Sequence, residues 1–85
     1  MGSVVQLVPV LSIVGSDLIW TWAGVDPTFW QIELAPTQFG SYVTQFNVAG
    51  AGRSRHYFDA GWYRLVGTVG GVPVTPYSNS VPTPV

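Results

Sequence analysis

The 85-residue chain has no cysteine. That excludes disulfide staples, thiolate nucleophiles and cysteine-ligated zinc. It also has no lysine: Arg53, Arg55 and Arg64 are the three basic residues, set against four acidic ones. Charged residues make up 8 % of the chain and the formal net charge is -1. Soluble designed surfaces carry roughly 25–35 % charge, because near-neutral surfaces associate. Two readings of this poverty stay open: a surface largely covered by neighbours, or a soluble Thr/Ser/Gln/Gly surface from a genome that favours arginine. The strongly basic stripe of a nucleic-acid binder is missing. One histidine without cysteine leaves no set of transition-metal ligands. Long apolar runs are missing too. The stretch from Val4 to Val14 is interrupted by Gln6, Pro9 and Ser12. It is too short to cross a bilayer and has no basic segment before it. Neither a membrane span nor a signal peptide is expected.

Helical periodicity is also lacking. Ten glycines and seven prolines are spread so that no window of about twelve residues suits a helix. What fills the gaps is aromatic and β-branched. Leu18, Trp20 and Trp22 alternate on one side of a short Gly/Asp/Pro turn, and Trp30, Ile32 and Leu34 alternate on the other. Spacing by two places side chains on one face of a pleated strand. The pattern predicts seven strands: Leu7 to Val14, Asp17 to Ala23, Phe29 to Ala35, Tyr42 to Val48, Arg53 to Phe58, Trp62 to Val69, and about Val74 to Val81. Pro9, and Pro73 with Pro76, mark the first and last as edges. Gly70-Gly71 predicts a two-residue hairpin. Short strands with turns every 8–12 residues or so point to an antiparallel sandwich. A single domain spans 1-85, with its core at about 7-81 and an extended tail over 82-85.

Four motifs in order resemble the fibronectin type III family, over roughly Pro9 to Val81. They are Leu18-x-Trp20-x-Trp22, Trp30-x-Ile32-x-Leu34, Phe58-x-x-Gly61-x-Tyr63-x-Leu65, and Tyr77-Ser78-Asn79-Ser80-Val81. The resemblance implies a seven-stranded immunoglobulin/fibronectin type III-like sandwich. It places Trp22 at the core tryptophan and puts Tyr63 where a hydroxyl ties back to upstream backbone. Trp30 stands where the family has tyrosine, and the corner loop is short. The family shares no catalytic residues, so function does not follow from fold.

The candidate chemistry is sparse. Ser54, His56 and Asp59 are close in sequence, but Ser54 and His56 on one strand face lie about 6.5–7 Å apart, too far for a nucleophile–base contact. A structural histidine is the expectation. The four carboxylates are Asp17, Asp26, Glu33 and Asp59. Three sit at turns, where Asp caps local backbone. Asp26 with Asp59 is the one pairing that suggests calcium. No catalytic residue, cofactor or metal is assigned.

The aromatic surplus is the stronger clue. Four Trp, four Tyr and four Phe exceed what a small sandwich core takes in. Alternation turns Trp20, Trp22, Trp30, Phe58 and Tyr63 inward and Phe29, Tyr57 and Trp62 outward. Arg53, Arg55 and Arg64 form the basic cluster if the fifth and sixth strands run side by side. These six outward aromatic and basic residues are the candidate interface. The rings serve as protein anchors, as a stacking platform for glycan, or as covers for the sandwich ends.

The expectation is a non-catalytic protein acting by protein–protein contact. The family resemblance extends to small accessory proteins of bacteriophage virions, such as capsid decoration and tail proteins. This implies partners among other virion proteins or copies of itself, and a virion location after assembly in the host cytoplasm. Neither nucleic acid nor membrane is an expected partner. The alternative is an adhesion module for glycan or cell surface.

Overall fold

A computed structural model describes residues 7–84. Expectations that fall on Met1–Gln6 and Val85 lie outside the described residues. Eight strands are present: β1 (Val10–Val14), β2 (Asp17–Thr21), β3 (Phe29–Ala35), β4 (Val43–Ala49), β5 (Ser54–His56), β6 (Trp62–Val69), β7 (Val72–Pro73) and β8 (Val81–Pro82). There is no helix among the described residues. One antiparallel sheet has the order β1-β2-β5. The other has the order β4-β3-β6-β7, with β8 also paired to β6. The chain passes between the sheets from β2 to β3, back from β4 to β5, and again from β5 to β6.

Alternation decides which face of each sheet is dry. Leu11, Leu18 and Trp20 from the first sheet meet Trp30, Ile32, Tyr63 and Leu65 from the second in one core. Trp20 stands edge-on to Trp30, with ring centroids 6.2 Å apart. Both rings are at most 1 % exposed, and burying a ring of about 150–250 Å² is worth roughly 4–6 kcal/mol before entropy is subtracted. Trp30 Nε1 donates to Gly50 O. Trp20 Nε1 is buried with no partner among the described residues. That costs about 1–3 kcal/mol and is offset by the ring's burial. The core tryptophan of the second strand is therefore Trp20. Trp22 lies past the end of β2, half-buried, edge-on to Trp30 and donating Nε1 to Val25 O.

The expected seventh strand is the main departure. From Val74 to Val81 the chain follows β6, but prolines interrupt the ladder and hydroxyls replace the missing backbone partners. Thr75 Oγ1 accepts from Gly67 N, and Ser78 Oγ accepts from Leu65 N. Regular pairing survives only at β7 and β8. The Gly70-Gly71 hairpin forms as expected, with φ of 59° and 78° joining Val69 to Val72. The first residues of the expected tail run on from β8 beside Trp62 and Gly61. Pro82 pairs with Trp62, Thr83 N donates to Gly61 O, and Thr83 Oγ1 accepts from Gly61 N.

Candidate functional site

The registers assign each expected interface residue to a face. Cross-strand partners share a face. Arg55 pairs with Leu18, a fully buried residue, so Arg55 points inward. Arg53 lies opposite Trp20, whose N–H donates to Arg53 O, and points inward as well. Their guanidinium groups seal one flank of the core. Arg53 lies 5.6 Å from the Trp30 ring centre and Arg55 lies 4.3 Å from that of Phe46. Arg53 also pairs with Asp26 and donates Nη1 to Gly50 O and Gly52 O. Asp26 is thereby taken up, and among the described residues no three His, Cys, Asp or Glu side chains gather to hold a metal.

Arg64 is not part of that group. It belongs to β6 in the other sheet, on its outer face opposite Glu33. The Arg64 guanidinium is held between the Tyr42 and Tyr77 rings, 4.1 and 4.0 Å from their centres. Its Nε donates to Glu33 Oε1 at 2.7 Å. Glu33 is only 8 % exposed there. Tyr42 OH in turn donates to Gln38 O and Ser80 Oγ. On the same outer face Ala35, Val66 and Thr68 are buried, while Thr44, Asn47 and Ala49 along β4 are exposed. Phe29 stays half-exposed at one end, and Trp62 is partly buried beside Ala35 and Pro82.

Tyr57 and Phe58 exchange the roles expected of them. Tyr57 N donates to Ser16 O, which continues the inward series Arg53, Arg55, Tyr57. The Tyr57 ring packs on Tyr63, centroids 5.4 Å apart. Phe58 points out and is 73 % exposed. The alternation runs opposite to the expected one because Arg53 and Arg55 point inward. Long side chains at an edge strand lay their stems over apolar surface and keep the charge wet.

The face left bare is the outer side of β1-β2-β5. Val10, Val14, Ile19 and Phe58 are exposed on it, between Ser12, Thr21 and Ser54. Asp17 and His56 face each other across β2 and β5, with His56 Nδ1 3.1 Å from Asp17 Oδ1. The His56 ring stands edge-on to Phe58 at 4.8 Å. His56 is thus partnered by Asp17, not by Ser54 or Asp59. Asp59 uses its backbone carbonyl to accept the Tyr63 hydroxyl at 2.8 Å. Burial and the negative charge of Asp59 raise the Tyr63 pKa above its ordinary 10.0. Alternation alone put Ile19 on this face, opposite Trp20. Val10, Val14 and the Asp17–His56 pair needed the pairing of β1 and β5 to be known.

An open depression of about 370 Å³ lies beside Leu34, Pro36, Val43 and Ala60, and no ionisable side chain lines it. Comparison with protein-family models, with curated proteins and with solved structures gave no match.

Proposed function

We propose that this chain is a non-catalytic contact module with a fibronectin type III-like sandwich, a structural accessory protein of a bacteriophage virion. The fold part of this reading is supported by the crossings between two antiparallel sheets. It is also supported by the Tyr63 hydroxyl tied to backbone four residues upstream at the start of β6. The observation that carries the function is the contrast between the two outer faces. On the five-stranded sheet the centre of the outer face carries the Tyr42–Arg64–Tyr77 stack and its β4 margin is mostly polar, while the three-stranded sheet presents Val10, Val14, Ile19 and Phe58 to solvent. An exposed apolar face rimmed by polar groups suits a protein partner. The exposed Asp17–His56 contact on it gives orientation without a large desolvation cost.

The charged groups speak for contact over turnover. Asp17, Asp26 and Glu33 each hold a basic partner, and the depression beside Leu34 and Val43 offers no acid or base. The test is sedimentation of the chain with particles produced by the genome that carries its gene. Co-sedimentation that is lost in the double variant Val14→Ser, Phe58→Ser supports the reading. Particles without the chain overturn it. Retention on a glycan array that depends on Phe58 would move the assignment to an adhesion module.

A further inference from the structure

A sandwich has open strand edges, and each unpaired edge is a template for another strand. Three edges of this protein are closed by identifiable devices. The free side of β1 is closed by Asn79, whose side chain accepts from Leu11 N and donates to Leu11 O, 2.8 and 2.9 Å away. β5 is only three residues long and carries the inward-pointing Arg55. The edge beyond β6 is interrupted by Pro73, Pro76, Pro82 and Pro84. Among the described residues β4 has none of these. It is seven residues long, Val-Thr-Gln-Phe-Asn-Val-Ala, with no charge and no proline, and it ends the order of the five-stranded sheet. Its one irregularity is a bulge at Gln45, the extra residue between the Ile32–Phe46 and Glu33–Thr44 pairs, which leaves Phe46 to Ala49 regular.

The hydrogen-bond phase of β4 can be read. Gly50 N donates to Thr28 O. Stepping back by two, Val48 and Phe46 direct their backbone groups at β3, so Asn47 and Ala49 direct theirs away from the sheet, where Ala49 O already accepts from Gly52 N and Asn47 keeps both groups open among the described residues. Side chains alternate independently of this. Phe46 and Val48 face the core opposite Ile32 and Trp30, both half-buried, while Asn47 is exposed on the outer face.

We propose that β4 is a self-association edge: two copies of this chain pair β4 with β4, antiparallel, about a two-fold axis at Asn47. The occupant follows from self-complementarity. In this register Asn47 meets Asn47 of the second copy, and the two exchange a pair of backbone hydrogen bonds. Phe46 then lies opposite Val48 of the second copy on the core side, twice over. Ala49 lies opposite Gln45. Within the paired strands no charge opposes a charge, and the half-buried Phe46, which already carries the Arg55 guanidinium on its ring, and Val48 become further covered. The two five-stranded sheets join into one. One strand pair buries less than the roughly 1,200 Å² of a standard interface, so the dimer is weak alone and gains strength in an array. The contact is separate from the outer face of the three-stranded sheet.

The geometry makes residue 47 its own partner, and this gives a specific test. Sedimentation equilibrium of the intact chain, up to about 1 mM, is expected to show a monomer–dimer equilibrium. Asn47→Lys and Asn47→Asp each place like charges across the axis and weaken the dimer by about tenfold or more. An equimolar mixture of the two returns dissociation to within about threefold of the parent chain, because opposite charges now face each other. Asn47 is exposed, so both variants are expected to keep the parent tryptophan fluorescence. As a check without substitution, amide exchange at Asn47 and Ala49 should slow with protein concentration while that at Phe46 stays constant. A chain monomeric at about 1 mM, a dimer indifferent to both variants, or a mixture that fails to recover overturns the proposal.

Discussion

Asn79 is bonded to Leu11 through both ends of its carboxamide, across 68 positions of sequence: Oδ1 accepts from Leu11 N and Nδ2 donates to Leu11 O. The side chain imitates a strand neighbour. It joins the first strand of one sheet to the closing segment of the other and satisfies backbone groups of a residue that is only 2 % exposed. Asn79→Ala is expected to cost about 2–4 kcal/mol, since two buried backbone groups lose their partners. Asn79→Asp keeps the acceptor but loses the donor, so at neutral pH it should fall between the parent and the alanine variant. Urea unfolding followed by tryptophan fluorescence gives the order. Equal stability of all three would show that water replaces the amide.

Arg64 and Glu33 form a pair whose members are unequal. Removing Arg64 leaves a carboxylate buried against the sheet and separates the Tyr42 and Tyr77 rings. Arg64→Ala should cost about 2–4 kcal/mol. Glu33→Gln keeps an oxygen for Arg64 Nε and should cost about 1 kcal/mol. Arg64→Lys should lie between the two, because a point charge does not stack as a planar guanidinium does. Thermal denaturation of the three variants checks the ranking.

Tyr63 predicts an alkaline limit. Its pKa is raised in the folded state, first by burial and then by the charge of Asp59. Above the ordinary value of 10.0 the unfolded chain gives up this proton while the folded chain retains it. The contribution to stability is therefore full below that pH and is lost as pH rises toward the folded pKa. Tyr63→Phe should lose about 1 kcal/mol at neutral pH, for the missing bond to Asp59 O. It should also show a shallower loss of stability above about pH 10. Urea midpoints across that range test both parts.

Gly50 has no room for a side chain: a Cβ there would sit 1.6 Å from Pro27 O. Its own carbonyl holds Trp30 Nε1 and Arg53 Nη1. Gly50→Ala should cost more than about 3 kcal/mol and lower soluble yield. Gly70→Ala, with open space but φ of 59°, should cost only about 1 kcal/mol. Calorimetric melting of the two distinguishes a lack of space from a backbone preference.

Much of the all-β architecture was legible in the chain because spacing by two is a local property. The Trp/Leu/Ile alternation located β2, β3 and β6 nearly to the residue and named most of the core. The bare face was only half legible. Ile19 follows from its neighbours, but the orientation of β5 does not, since a charged residue opposite Leu18 runs against composition. Only the register shows Arg53 and Arg55 lying over aromatic rings, which turns Tyr57 in and Phe58 out.

Sequence alone determined that the described residues of this protein are built of short antiparallel strands around tryptophan, and that the chain holds no thiol. Those features are set by residue type and by neighbours one or two positions away. Tertiary structure decided which edges are closed and which faces are covered. Asn79 on Leu11, Tyr42 and Tyr77 on Arg64, and the unpaired side of β4 all depend on segments distant in sequence. Their contacts arise only when the two sheets come together.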